Sequence, residues 1–247
     1  MARWLVQIDG DRFDIEELPY WFPSGEIYAV EENSTVFLVG SGLEQLADAS
    51  KIHEAAARVI EDFYSVIYLI DPGIRRPSVG AVFRENDDGT RHGFAFLSAV
   101  ASGRSKARAS VTIAGSTKPE RSRLTQAQKL LAGSQRNRHL QVALSLLSIP
   151  NATWPHYYRC LEEIESFLDA KVSEVGLCSA SERSRFSRTA NTPEASGTNA
   201  RHGLGKFDPP QNPMSSADGL SFVRQILLKA LSLAHAAQPG SQEDAVQ

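Results

Sequence analysis

The residues best suited to chemistry lie between 186 and 214, in the stretch FSRTANTPEASGTNARHGLGKFDPPQNPM. It places Arg188, Asn191, Arg201, His202 and Lys206 among four prolines and three glycines. Histidine takes or gives a proton near neutral pH, and arginine stabilises charge on phosphate. The adjacent pair Arg201-His202 therefore suits phosphate binding. It equally suits cleavage of RNA through the 2′-hydroxyl, with His202 as acid/base, Arg201 as phosphate stabiliser, and Arg188 and Asn191 orienting the loop. The plainer alternative is structural: Arg201 pairs with a carboxylate, His202 bonds backbone and Asn191 caps backbone groups. Long connections without regular structure are uncommon in compact domains and are often functional.

Other patterns narrow the chemistry. No two histidines stand at i, i+4, no HExxH occurs, and Cys160 and Cys178 lie 18 apart, so no metal site is expected. Neither a GxGxxG nor a GxxxxGK[ST] cradle is present, and no GxSxG elbow occurs, so no cofactor is expected. Glu162, Glu163 and Glu165 read as the wet side of a helix. His139 follows Arg136-Asn137-Arg138 at a helix start, where free N–H groups attract anions, although a solvated first turn is the plainer reading. His53 falls on a charged helix edge, His92 in a strand, and His156 and His235 at the surface. Trp4, Trp21 and Trp154 are scattered, which suits core or interface anchors rather than base stacking.

The bulk properties set the class. The 247 residues are 42% apolar and 22% charged, an ordinary balance for a globular chain with a real core. Two cysteines cannot build a disulfide framework, the start MARWLVQIDGDRF has no apolar leader, and the longest apolar run is 66–70. A cytoplasmic protein with no membrane contact is expected. The net charge of −3 conceals an asymmetry. Residues 1–72 hold 14 Asp/Glu against 4 Lys/Arg, whereas 101–140 hold 9 Lys/Arg against Glu120 alone. That asymmetry fits a nucleic-acid partner, or acidic and basic parts that meet within the fold or across a homo-oligomer.

Two regions must position these residues. Up to 115 the chain reads as strands at 4–8, 26–31 and 35–40, a helix from Ser50 to about 64, then strands at 78–84, 90–100 and 107–113. A helical turn at 14–21, ended by Pro19 and Pro23, follows the first strand. Glu32-Asn33-Ser34 and Asp88-Gly89 supply turns. The fold class is α+β: an acidic domain at 1–115 whose antiparallel sheet is covered by a helix, then an all-helical module. A boundary is expected at 115–120 and a helical bundle at 122–236, with helices at 124–132 and 136–147 broken near Gly133-Ser134. Further helices follow Thr153, span 179–189, and run from Ser215 with Asp218 to about 234. The tail, 237–247, reads as disordered.

The order FSRTAN, SGTNARHG, PP and NPMS before a helix SFVRQILLKAL resembles the C-terminal end of a group of uncharacterised bacterial proteins. ALSLL followed by TWPHYYRCLEEIE fits the same pattern, so the resemblance covers about 138–231 and implies a shared fold. More distantly, a helical domain ending in an Arg/His segment is similar to HEPN domains, a family rich in ribonucleases of bacterial defence and toxin systems. Members that cleave RNA carry Arg-x4–6-His at a helix edge. Here Arg201 and His202 are adjacent, and no arginine precedes a histidine by that spacing. Neighbours on a helix point about 100° apart, so the resemblance implies a non-catalytic relative.

The leading expectation is a non-catalytic interaction protein whose helical module binds an anionic partner, RNA or a nucleotide, through Arg188, Asn191, Arg201, His202 and Lys206. The alternatives are a metal-independent HEPN-like ribonuclease using His202 and Arg201, and a homo-oligomeric protein binding a partner protein, whose loop only buttresses the bundle.

Overall fold

The computed structural model describes residues 3–96, 124–204 and 206–237. Two compact units result, one from residues 1–67 and 71–128, the other from 68–70 and 129–247. The strand expected at 90–100 ends at 94, with 95–96 irregular, and 97–100, the strand expected at 107–113, the 115–120 boundary and the tail beyond 237 lie outside the described residues.

The first unit holds β1 (Arg3–Asp9), short turns α1 (Arg12–Ile15) and α2 (Leu18–Trp21), the hairpin β2 (Tyr28–Glu32) and β3 (Thr35–Val39), and α3 (Ser41–Glu44). The long helix α4 (Ala49–Ile70), whose last three residues count with the second unit, and the strands β4 (Ser78–Glu85) and β5 (Arg91–Phe94) complete it. The strands form one antiparallel sheet in the order β2-β3-β1-β4-β5. The expected turn at 14–21 divides into α1 and α2, and Pro19 sits in the first turn of α2 instead of ending a helix. There its missing N–H has no intrahelical role to lose. In the β2–β3 hairpin Glu32 still pairs with Thr35, so Asn33 and Ser34 alone make the turn, both at positive φ. Such two-residue turns match the twist of the flanking strands.

One sheet face buries Trp4, Val6, Ala29, Leu38 and Val82. Helix α4 covers the sheet, burying Ile52, Ala56, Ile60 and Phe63, with Phe63 stacked on Phe22 at 3.6 Å between ring centroids. The helix begins at Asp48, which accepts from Lys51 N at 2.9 Å, so Ser50 is already inside it. It also runs past 64 to Ile70, because no breaker occurs before Pro72, which drives Asp71 into an extended conformation. The opposite sheet face carries a second cluster, Leu5, Phe37 and Val39, with Tyr28, Val30 and Phe83 against it. Arg91 on edge strand β5 stacks 5.6 Å over Phe37 and meets Glu32 on edge strand β2 at 2.5 Å. The edges approach across this face, which requires strong sheet coiling. Arg3 joins Glu32 and Glu85, closing a four-charge ring over the cluster.

Helix α5 (Gln126–Gln135) begins within the first unit, where Gln128 Nε2 donates to Ser24 O at 2.8 Å, and its residues from 129 on count with the second. The second unit continues with α6 (Arg138–Leu147), α7 (Trp154–Leu168), α8 (Ala180–Asn191), α9 (Pro193–Ser196), a 3₁₀ turn (Gly197–Asn199) and α10 (Ser216–Ala236). The break expected near Gly133-Ser134 falls slightly later, at 136–137, because α5 continues to Gln135. A Cβ on Gly133 would lie 2.6 Å from Leu231 O, so this glycine permits a close approach to α10 and does not end a helix. The core joins Leu140, Ala143, Leu144 and Leu147 of α6 to Trp154, Leu161 and Ile164 of α7 and to Val223, Ile226, Leu227 and Ala230 of α10. Each large aliphatic side chain here contributes about 1.5–3 kcal/mol. Among the described residues no helix is long and apolar enough to cross a membrane.

Candidate functional site

The second unit is organised by α7. Thr153 and His156 form a capping box at its start, so His156 is a capping residue and not a free surface histidine. The three glutamates expected on a wet face each hold a different segment. Glu163 Oε2 lies 2.8 Å from His139 Nδ1, which ties down the first turn of α6. Glu162 Oε1 accepts from Arg201 at 3.0 Å. Glu165 is buried, 9% exposed, and accepts a two-pronged bond from Arg183 Nε at 2.6 Å and Nη2 at 2.8 Å. The cause is chain reversal after α7. Asp169 adopts the left-handed conformation and ends the helix. Val172 N and Lys171 Nζ then return to the Glu165 carboxylate at 3.2 and 3.4 Å. Burial alone would push the Glu165 carboxyl up, but Arg183, the Val172 amide and Lys171 outweigh it and hold it below the ordinary carboxylate range.

Helix α8 opens on a Ser179–Glu182 capping box and runs to Asn191. The stretch 186–214 is therefore not irregular throughout: its first six residues finish α8, and 193–199 form α9 and the 3₁₀ turn. Among the described residues the irregular part is a strap formed by 200–204 and 206–214. Arg201 N donates to Ala190 O at 2.9 Å, and Met214 N to Thr189 Oγ1 at 3.1 Å, so both ends are pinned to α8. Between the pins, Arg185 donates to Asn212 O at 2.6 Å and Pro213 O at 3.4 Å. Arg188 donates to Asp208 O at 3.2 Å and Pro209 O at 3.3 Å. The prolines keep this segment extended and supply no N–H of their own, leaving the carbonyls for the guanidinium groups.

The five residues singled out from sequence meet different fates. Arg201 is taken up by Glu162 and by the Tyr158 ring, 4.3 Å from its guanidinium carbon. His202 turns to other neighbours: Lys206 Nζ is 3.4 Å from its Nδ1, and its ring is 5.3 Å from Phe207. Desolvation and the charges of Lys206 and Arg201 hold this imidazole below the ordinary histidine range. Arg188 and Lys206 are exposed and have no carboxylate partner among the described residues. Asn191 is buried, and its Oδ1 has no hydrogen-bond partner among the described residues, so that atom caps nothing. Sequence reasoning missed Arg185, although it stands three residues before Arg188 on α8 and shares its task. It also missed Leu204 and Phe207, which are 79% and 44% exposed at the strap's tip.

Several chemistries find no support. Among the described residues no group of three His, Cys, Asp or Glu is placed to hold a metal ion. Burial pushes the Cys160 thiol up, and desolvation with Glu182 raises that of Cys178, so neither is an activated nucleophile. An open cleft of about 620 Å³ at the end of α7 is lined by Glu162, Glu165, Asp169, Glu174 and Lys171. Its acidic wall repels an anion. The strap offers the opposite: Arg185 and Arg188, bonded to neutral carbonyls, and Lys206, beside His202, keep charge that no ion pair offsets among the described residues, opposed on the strap by Asp208. Asp218 feels the field of Arg185, but its carboxylate bonds Ser215. No family model matches the chain, and neither a curated protein nor a solved structure matches it.

Proposed function

We propose that the second unit is a non-catalytic binding module for an anionic partner, RNA or a nucleotide, which it takes at the strap between Arg201 and Met214. One observation carries this reading. Arg185, Arg188 and Lys206 line a single segment and have no carboxylate partner among the described residues, whereas Arg183 and Arg201 nearby are both matched to glutamates. Phosphate would exchange neutral carbonyl partners for charged ones, and charge-assisted bonds are roughly twice as strong.

The test is a titration of labelled single-stranded RNA at low and moderate salt. Binding should weaken with salt, and the double change Arg188→Ala with Lys206→Ala should reduce the logarithmic salt slope by about 1.4, near 0.7 per phosphate contact. An unchanged slope would remove the strap from the site.

A structural reading has its own support: the Arg201–Glu162 pair stacked on Tyr158 fastens the loop to α7. On that reading the protein is a homo-oligomeric partner protein, and Arg188→Ala with Lys206→Ala leaves every anion unbound to the same extent as wild type. The HEPN-like ribonuclease reading leans on His202 as a base, its pKa lowered by desolvation and by Lys206 and Arg201. It requires RNA turnover in EDTA that His202→Ala abolishes.

A further inference from the structure

We infer that the strap takes a single-stranded nucleic acid and stacks one unpaired base on Phe207. This rests on the anion-binding reading and narrows it from polyanions in general to strands with accessible bases. Among the described residues of the second unit, Phe207, at 44%, is the most exposed aromatic side chain. The others are less exposed: Trp154, Tyr157 and Phe186 are buried, and Tyr68, Tyr158, Phe167 and Phe222 are partly buried; of these, Trp154, Tyr157, Tyr158, Phe186 and Phe222 pack ring on ring, at 5.0 to 6.3 Å between centroids. Phe207 instead stands at the tip with Leu204 three positions before it, although both could have been polar at no cost to the core.

The surroundings of Phe207 fit a base rather than an apolar protein surface. Its ring has His202 at 5.3 Å, tilted by 47°, and Lys206 Nζ at 5.8 Å from its centroid. Arg188 bonds the carbonyls of the next two residues, Asp208 and Pro209. A flat apolar face thus stands between one cation before it and another after it. Single-strand sites combine those two elements: an aromatic platform for the base and cations along the backbone. A duplex offers no free base face, and a free phosphate gives the ring nothing to do. The strap is also anchored on both sides of the platform, by the Arg201 and Met214 amides and by the arginine bonds to 208, 209, 212 and 213. Little ordering is then left for binding to impose.

The experiment compares three labelled ligands by fluorescence anisotropy: a mixed-sequence single strand of about 12 nucleotides, the same backbone without bases, and the corresponding duplex. The protein is full-length wild type, Phe207→Ala, Phe207→Trp and Lys206→Ala. Wild type should prefer the base-bearing strand over the abasic one by about 5- to 100-fold. Phe207→Ala should lose that preference while keeping its affinity for the abasic strand, and Phe207→Trp should retain it. Lys206→Ala should weaken both strands alike. Equal binding of base-bearing and abasic strands by wild type overturns base stacking but leaves the anion site standing. Binding of none of the three overturns both. Tighter binding of the duplex than of the single strand also overturns the inference. Phe207 lies outside the core, so matched melting temperatures will show that the variants are folded.

Discussion

Two faces of one helix treat arginine in opposite ways. On the side of α8 that meets α7, Arg183 forks onto the buried Glu165, and beyond the helix Arg201 reaches Glu162. On the side that meets the strap, Arg185 and Arg188 bond only backbone carbonyls. The residue type is the same and the spacing is a few residues, yet the seam neutralises its charges and the strap leaves them standing. Counting basic residues therefore says little about where an anion can bind. What counts is whether a carboxylate has been folded into reach.

The comparison breaks most visibly at Glu165. Glu165→Ala leaves Arg183 and the Val172 amide unpaired in the seam, and should cost about 3–5 kcal/mol in denaturant unfolding, as removal of one partner of a buried ion pair does. Binding by whatever protein remains folded should be unchanged. A loss under 1 kcal/mol would mean that the seam is no more structural than the strap.

Next come Arg188→Ala and Lys206→Ala, which should weaken single-strand binding several-fold each and lower the salt slope by about 0.7 each, with stability changed by less than about 1 kcal/mol. Arg201→Ala is the counterpart from the neutralised set. Its ion pair is partly exposed, so stability should fall by only about 0.5–1 kcal/mol, and affinity should hold within about twofold. An affinity loss equal to that of Arg188→Ala would erase the distinction between the two faces.

The smallest expected effects are those of pH. Glu165 has a folded pKa below its unfolded value, so its stabilising share is complete above the unfolded value of about 4.3 and is lost as pH falls through the folded one. Acid should therefore loosen the seam below about pH 4, and a melting-temperature series should show the loss flattened in Glu165→Gln. His202 also has a lowered pKa, so it gains its proton only below the ordinary value of about 6.5. Protonation adds a cation at the tip, and binding should tighten a few-fold as pH is taken down through that region. His202→Gln should remove that dependence.

Much of this was legible locally. The Ser215–Asp218 capping box and the Thr153 start with Pro155 mark their helices because caps are satisfied by residues three positions apart. The helix-covered antiparallel sheet followed by helices was readable from alternation giving way to helical spacing. Gly133 misled because a glycine in sequence does not say whether it breaks a helix or lets another helix approach. Glu165 misled because its neighbours Glu162 and Glu163 set a polar pattern, while its burial depends on Asp169 turning the chain back over it. At the strap, the sequence showed a dense group of Arg, His, Lys and Pro but ranked Arg201 first and passed over Arg185.

The amino-acid sequence by itself thus determined the class of fold, the helices and turns, and the segment in which the polar chemistry gathers, since these follow from spacing, caps and turn residues within a few positions. Only the tertiary structure decided which cations face a carboxylate. The pairs Arg183–Glu165 and Arg201–Glu162 join residues 18 and 39 positions apart. Ion pairing falls off within a few ångströms, so the fate of each charge is set by how the helices pack and not by its place in the chain.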